Sequence, residues 1–368
     1  MLYFLSNFSN FFGPFRLFKY VTFRAGLAIT IAFLLVMLLS PITIRLLKKL
    51  NTTVPSRHKG LIPDKYIDSI KDKTPSMGGI LIVFGIVIAT LLCANPTNPL
   101  MYTFLITTIA LAIIGFADDY AKVVYRKRDG ISGKLKFLLE LLIAIGAVFS
   151  LFAVTDKSIY MQSFFIPFLK EPLLTGFYGS LLTFHLGVLV VVGSSNAVNL
   201  TDGKDGLAIG CIIFCAIAFA VFAYITGNKI FSDYLFINYL PGAGEVGIFA
   251  SAIVGASLGF LWYNCHPAAM FMGDTGSLAL GGSIGLIAVL LKEELALILI
   301  GGVFVLEALS VIIQVLYFKL TGGKRIFLCA PIHHHFERKG WKETQIVVRF
   351  WILGVIFAIM GLATLKLH

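Results

Sequence analysis

Residues 194–206 read SSNAVNLTDGKDG, a short polar stretch between apolar runs at 187–192 and 207–223. Two amides (Asn196, Asn199), two carboxylates (Asp202, Asp205) and Lys204 crowd into it, with glycines that permit tight turns. Polar groups at the mouth of a membrane helix cost free energy unless partnered, so they mark function; a surface turn between two helices is the plain alternative. Four other clusters of the same kind occur: KTPSMGG (73–79), GFADDY (115–120), FMGDTGS (271–277) and PIHHHFE (331–337).

Each cluster suggests a chemistry. Asp118 and Asp119 are adjacent carboxylates, which repel and want a cation beside them. A few oxygen ligands suit Mg²⁺ carried in with a phosphate substrate, and one of the pair could serve as a base. Solvated helix-end acids are the other reading, although a helix C-terminus disfavours negative charge. Asp274 stands just before an apolar run, where an acid and free N–H groups make a corner for phosphate and metal; it could equally be an N-cap. His333, His334 and His335 are too close in sequence to converge on a tetrahedral zinc. Imidazole N–H groups suit phosphate or pyrophosphate, and a solvated polar loop is the alternative. Glu307 is a lone acid within an apolar run, a thin hint of an ion path. No Walker, EF-hand, GxSxG or HExxH pattern is complete.

The elements that must carry these groups are membrane helices. Of 368 residues 58% are hydrophobic and only 13% are charged, and the mean hydropathy is +0.90. A soluble chain is nearer half apolar and a quarter charged. The net charge of +11 suits anionic headgroups and substrates, and its dispersal over several loops argues against nucleic acid as a partner. Five cysteines without CxxC spacing predict neither disulfides nor zinc. The aromatic start, residues 1–20, predicts an interfacial segment lying on the membrane, and the whole chain 1–368 reads as one integral membrane domain.

With about 20 apolar residues per span, ten spans are expected: 25–44, 77–95, 100–117, 135–153, 177–193, 207–226, 245–262, 276–291, 295–317 and 346–365. The fold class is therefore all-α and polytopic. Ten spans place both termini on one side. The odd-numbered loops hold twenty-one of the thirty Lys and Arg residues and the other side holds eight, so those loops are expected in the cytoplasm. All five polar clusters fall on these loops, which predicts a cytoplasmic active site with both termini outside.

The order DDY, NAVNLTDGxDGLA, MGDTGSLALGG and PIHHHFE followed by GWxE resembles the phospho-N-acetylmuramoyl-pentapeptide transferases, bacterial polyprenyl-phosphate phosphoglycosyltransferases. The resemblance runs from residue 73 to the last span and departs at Lys204, where that family usually has an apolar residue. It implies that undecaprenyl phosphate attacks the β-phosphate of UDP-N-acetylmuramoyl-pentapeptide with Mg²⁺, releasing UMP in peptidoglycan synthesis at the bacterial inner membrane. It implies Asp274 as the Mg²⁺ ligand, Asp118 as the base with Asp119 beside it, and Asn199, Asp202 and Asp205 at the nucleotide sugar. His333, His334, His335 and Lys136 would hold phosphates, with Lys73 in a lesser role. A covalent intermediate on Asp118 or Asp119 stays open, and a homodimer is compatible with the sequence. The rival readings are a related polyprenyl-phosphate N-acetylhexosamine-1-phosphate transferase and a cation-coupled transporter, whose polar groups belong nearer the bilayer midplane.

Overall fold

A computed structural model describes residues 1–50, 52, 74–124, 130–155, 160–165 and 172–366. Among them the principal elements are helices: α1 (Val21–Lys49), α2 (Gly79–Cys93), α3 (Pro99–Val124), α4 (Gly133–Val154), α5 (Gly176–Thr201), α6 (Leu207–Thr226), α7 (Lys229–Leu235), α8 (Ala243–Asn264), α9 (Gly273–Leu291), α10 (Glu294–Ile300), α11 (Gly302–Leu320), α12 (Ile332–Arg338) and α13 (Glu343–Ala363). The chain is an all-α polytopic membrane protein. Among the described residues nine helices are long and apolar enough to cross a membrane.

The second expected span, α2, has only 15 residues. At 1.5 Å per residue that is about 22 Å, short of a bilayer core of about 30 Å. The ninth expected span is broken: α10 stops at Ile300 and α11 begins at Gly302. The break falls at the Gly301–Gly302 pair, where Gly302 lies against the Phe357 ring of α13 and a side chain would not fit.

Helix α9 is the axis of the bundle. Every residue from Thr275 to Leu291 is buried, as expected of a helix apolar on all sides with other helices around it. Helices α3 and α5 pack along it, while α8 is held between α1 and α6. Small residues let backbones meet. Gly115 of α3 sits where a Cβ would run into the Asp274 carbonyl of α9, so α3 can dock this closely only through glycine. The outer helices turn apolar faces outward, with Leu38 (α1), Phe149 (α4), Ile312 (α11) and Ile359 (α13) all exposed.

The polar stretches are more helical than the hydropathy pattern implies. Residues Ser194–Thr201, expected in a loop, form the last two turns of α5. Helix α3 runs through Asp118 and Asp119 to Val124. PIHHHFE, also expected in a loop, contributes most of α12. Hydropathy stops at polar residues, whereas a helix can run on where its polar side chains find partners.

The far end of the bundle is tied separately. Two 3₁₀ helices, Leu2–Phe8 and Gly13–Lys19, leave Phe8, Phe11 and Phe12 exposed. The Met1 amine donates to the Leu91 and Leu92 carbonyls of α2. Arg24 in α1 is buried and grips Glu245 of α8 through two 2.7 Å bonds.

Candidate active site

Asp118 and Asp119 are consecutive on α3, so their side chains leave the helix about 100° apart and take different work. Asp119 reaches the start of α9. It accepts from the backbone N–H of Asp274 (3.1 Å) and of Thr275 (3.0 Å), and from the Thr275 hydroxyl (2.7 Å). The α9 N-cap position is Met272, which has no oxygen to offer, so a neighbouring helix supplies the missing cap. The sequence left Asp274 as a possible cap; Asp119 does that work instead.

Asp274 is thereby free to face two ammonium groups, Lys136 Nζ at 2.6 Å and Lys122 Nζ at 3.0 Å. Asp118 meets the same two lysines, Lys122 at 2.5 Å and Lys136 at 4.0 Å, and accepts from the Ile131 N–H at 2.8 Å. Lys122 was counted from sequence only as a loop charge. Its signal was present: it stands four residues after Asp118, on the same helix face. Asp118 and Asp274 thus converge on the same two ammonium groups. Convergent carboxylate oxygens of this kind suit a hard divalent cation, and the two lysines balance the same negative charge.

Helix α5 delivers the amide groups. Asn196 binds the Glu140 carboxylate of α4, a buried acid that sequence reading passed over. Asn199 donates to Ser277 of α9 (3.2 Å), and Ser195 donates to the Leu278 carbonyl (3.0 Å). Asp202 caps the end of α5. Its carboxyl is pushed up to about 8 by desolvation and then by the negative charges of Asp274 and Asp119, which places it in the field of the acid cluster.

Asp205 turns to different partners. It accepts from His266 Nδ1 and from the Ala268 N–H, both at 3.1 Å, while its own N–H donates to Glu343. Asn264 accepts from the Gly206 N–H and donates to the Met270 carbonyl, so the two loops are laced together. Asp205, His266 and Glu343 could in geometry surround a metal ion, but their hydrogen bonds already join these loops. His266 and Asn264 were not singled out from sequence, and Glu343 figured there only as the last residue of GWxE.

The three histidines separate. His333 is buried and bonds Glu307 of α11 through Nδ1 at 3.0 Å. His334 Nδ1 lies 2.9 Å from Glu337, and burial holds its ring below the usual histidine range although Glu337 pulls it up. His335 Nδ1 accepts from the Leu328 N–H at 3.1 Å and steadies the chain leading into α12. Lys204, the residue atypical of the resembled family, pairs with Glu337 at 2.5 Å. The structure thus joins Asp118, Asp119, Asp274 and Lys136 directly, with Asp202 beside them and His333 one residue further round the loop. Asp205, His334 and His335 make contacts elsewhere, and Lys73 lies outside the described residues. An apolar groove of about 340 Å³ runs between α5, α9, α10 and α11, lined by Leu189, Val190, Ile284, Leu297, Ile298 and Phe304 among others.

Acids and lysines gathered at one end of a helical membrane bundle suit phosphoryl transfer, where charge must be neutralised more than bonds made to protein. Residues 101–292 match the model of glycosyl transferase family 4. A phospho-N-acetylmuramoyl-pentapeptide-transferase of Methylacidiphilum infernorum is 48% identical over 370 aligned residues, and one of Thermodesulfovibrio yellowstonii is 46% identical over 371, each covering the whole of both chains. The chain belongs to glycosyl transferase family 4 and, within it, to the phospho-N-acetylmuramoyl-pentapeptide-transferase family.

Proposed function

We propose that this protein transfers phospho-N-acetylmuramoyl-pentapeptide from its UDP-linked form to undecaprenyl phosphate in peptidoglycan synthesis, giving the lipid-linked sugar diphosphate and UMP. The observation that carries the reading is the cluster of Asp118, Lys122, Lys136 and Asp274, in a chain similar along its entire length to transferases of that name.

Asp274, with Asp118 alongside, would hold Mg²⁺, which when bound supplies positive charge to the diphosphate. Lys122 and Lys136 flank the same place and steady the anionic oxygens. Asp118 takes the proton of the lipid phosphate, its carboxylate aimed by the Ile131 N–H and by Lys122. Asp119 fixes the first turn of α9 and so sets where Asp274 stands. Asn199 and Asp202 border the nucleotide sugar from the end of α5, and Asp205 keeps that loop in shape. The apolar groove along α5 offers the isoprenoid chain a path toward the same end of the bundle. We assign that end to the cytoplasm, where a water-soluble nucleotide sugar is met.

A radiolabelled transfer assay in detergent tests the reading. Label is expected to move from UDP-N-acetylmuramoyl-pentapeptide to undecaprenyl phosphate with release of UMP. Transfer from UDP-N-acetylglucosamine in its place would favour the related N-acetylhexosamine-phosphate transferases.

A further inference from the structure

Glu307 has no part in the reaction outlined above. It sits inside α11, fully buried among apolar residues, and its Oε2 meets His333 Nδ1 at 3.0 Å. A carboxylate can only accept, so Nδ1 carries the hydrogen. The ring is then fixed in both position and tautomer, and Nε2 is left as its other nitrogen.

That nitrogen has no hydrogen-bond partner among the described residues, nor has Glu307 Oε1. An unmade bond on a buried polar atom is costly and calls for an explanation. Its surroundings offer one. A Cβ on Gly203 would lie 2.6 Å from His333 Nε2 and 3.7 Å from His334 Nε2. Nε2 therefore points at the turn between Asp202 and Lys204, and only the missing side chain of Gly203 leaves room beside it. A phosphate oxygen brought to that spot would stand at hydrogen-bonding distance and accept from Nε2 in the doubly protonated ring. The other two histidines are engaged differently, His334 by Glu337 and His335 by the Leu328 N–H.

The geometry points to Glu307 as a positioning residue that holds His333 so that Nε2 meets a phosphate oxygen of the nucleotide sugar across Gly203. The inference rests on the proposed function and adds two assignments: His333 is the histidine whose second nitrogen is buried without a partner among the described residues, and Glu307 acts only through it. A buried carboxylate suits this position because it orients the ring and offsets positive charge on it when Nε2 also carries a proton.

The test measures equilibrium binding of UDP-N-acetylmuramoyl-pentapeptide to the full-length protein in detergent, together with KM for undecaprenyl phosphate. Glu307→Ala is expected to weaken nucleotide-sugar binding by about 10–100-fold, the usual effect of removing a histidine's orienting partner, with KM for the lipid unchanged. Glu307→Gln keeps the volume and serves if the alanine variant does not fold; it is expected to weaken binding in the same direction. Glu307→Asp should recover most of the affinity. Gly203→Ala should weaken binding too, and the double variant should be no worse than the poorer single one. In ¹⁵N spectra of histidine-labelled protein, His333 Nδ1 should be the protonated nitrogen, and Glu307→Ala should release that preference. Unchanged nucleotide-sugar affinity in Glu307→Ala or Glu307→Gln would overturn the inference. So would a parallel loss toward both substrates with a lowered thermal midpoint, since that marks a purely structural role. Wild-type protein that binds no UDP-sugar at all would instead sink the proposed function, whereas wild-type binding that is indifferent to residue 307 sinks only this inference.

Discussion

At the residue scale, two neighbouring aspartates take different partners. Asp119 is consumed by the α9 cap, which leaves Asp118 and Asp274 to share two lysines. Asp274→Asn is expected to stay folded, because Asp118 still pairs both lysines. It should lose turnover and lose any Mg²⁺ dependence of UDP-sugar binding; near-normal turnover at ordinary Mg²⁺ would remove the metal assignment. Asp118→Asn should bind both substrates yet turn over about 10²–10⁴-fold more slowly, the usual cost of losing a general base. Raising the pH should partly rescue it, since more of the lipid phosphate is then a dianion. A stoichiometric burst of UMP from wild-type enzyme without lipid would show a nucleophile in place of a base. Glu337 sets an acid limit on one contact. Burial raises its carboxyl, but His334 and Lys204 more than offset this and bring it down to about 2. The folded value lies below the unfolded one, about 4.3, so the stabilisation is complete above that pH and disappears as the pH falls toward about 2. Glu337→Gln should therefore flatten the decline of thermal midpoint over that window, and an unaltered decline would show that the Lys204–Glu337–His334 contact adds nothing.

At the scale of elements, the register between α3 and α9 decides whether the site exists. Gly115 lets α3 touch the Asp274 carbonyl, and Asp119, one turn further on, caps the helix that Asp274 begins. Asp119→Ala leaves the first N–H groups of α9 unsatisfied. A lost helix cap costs about 0.5–2 kcal/mol, so a lowered thermal midpoint is expected, with faster hydrogen exchange at the Asp274 and Thr275 amides. Exchange that is unchanged there would mean that the cap is dispensable. The end of α5 follows the same logic. Its polar turns stay helical because Ser195, Asn196 and Asn199 each find a partner on α4 or α9. In sequence those residues read as a loop, since no neighbour is visible to satisfy them.

For the whole molecule, the distribution of lysine and arginine and the gathering of the acids point to one end of the bundle. A reporter fused after His368 is expected to behave as external, and one placed in residues 318–345 as cytoplasmic; the reverse would put the site on the wrong side for a nucleotide sugar. The membrane character, the all-α class and the order of the apolar segments were set by sequence alone, because twenty-odd apolar residues have few other places to go. The polar motifs were equally legible, and Asp118, Asp274 and Lys136 do converge. Sequence could not say that Asp119 is a cap, that Lys122 enters the site, that Asp205 serves its own loops through His266, or that Glu307 lies under His333. Those facts depend on pairs separated by up to 156 positions along the chain. A polar group in a membrane bundle takes whichever partner packing brings within about 3 Å, and only the tertiary structure decides which partner that is.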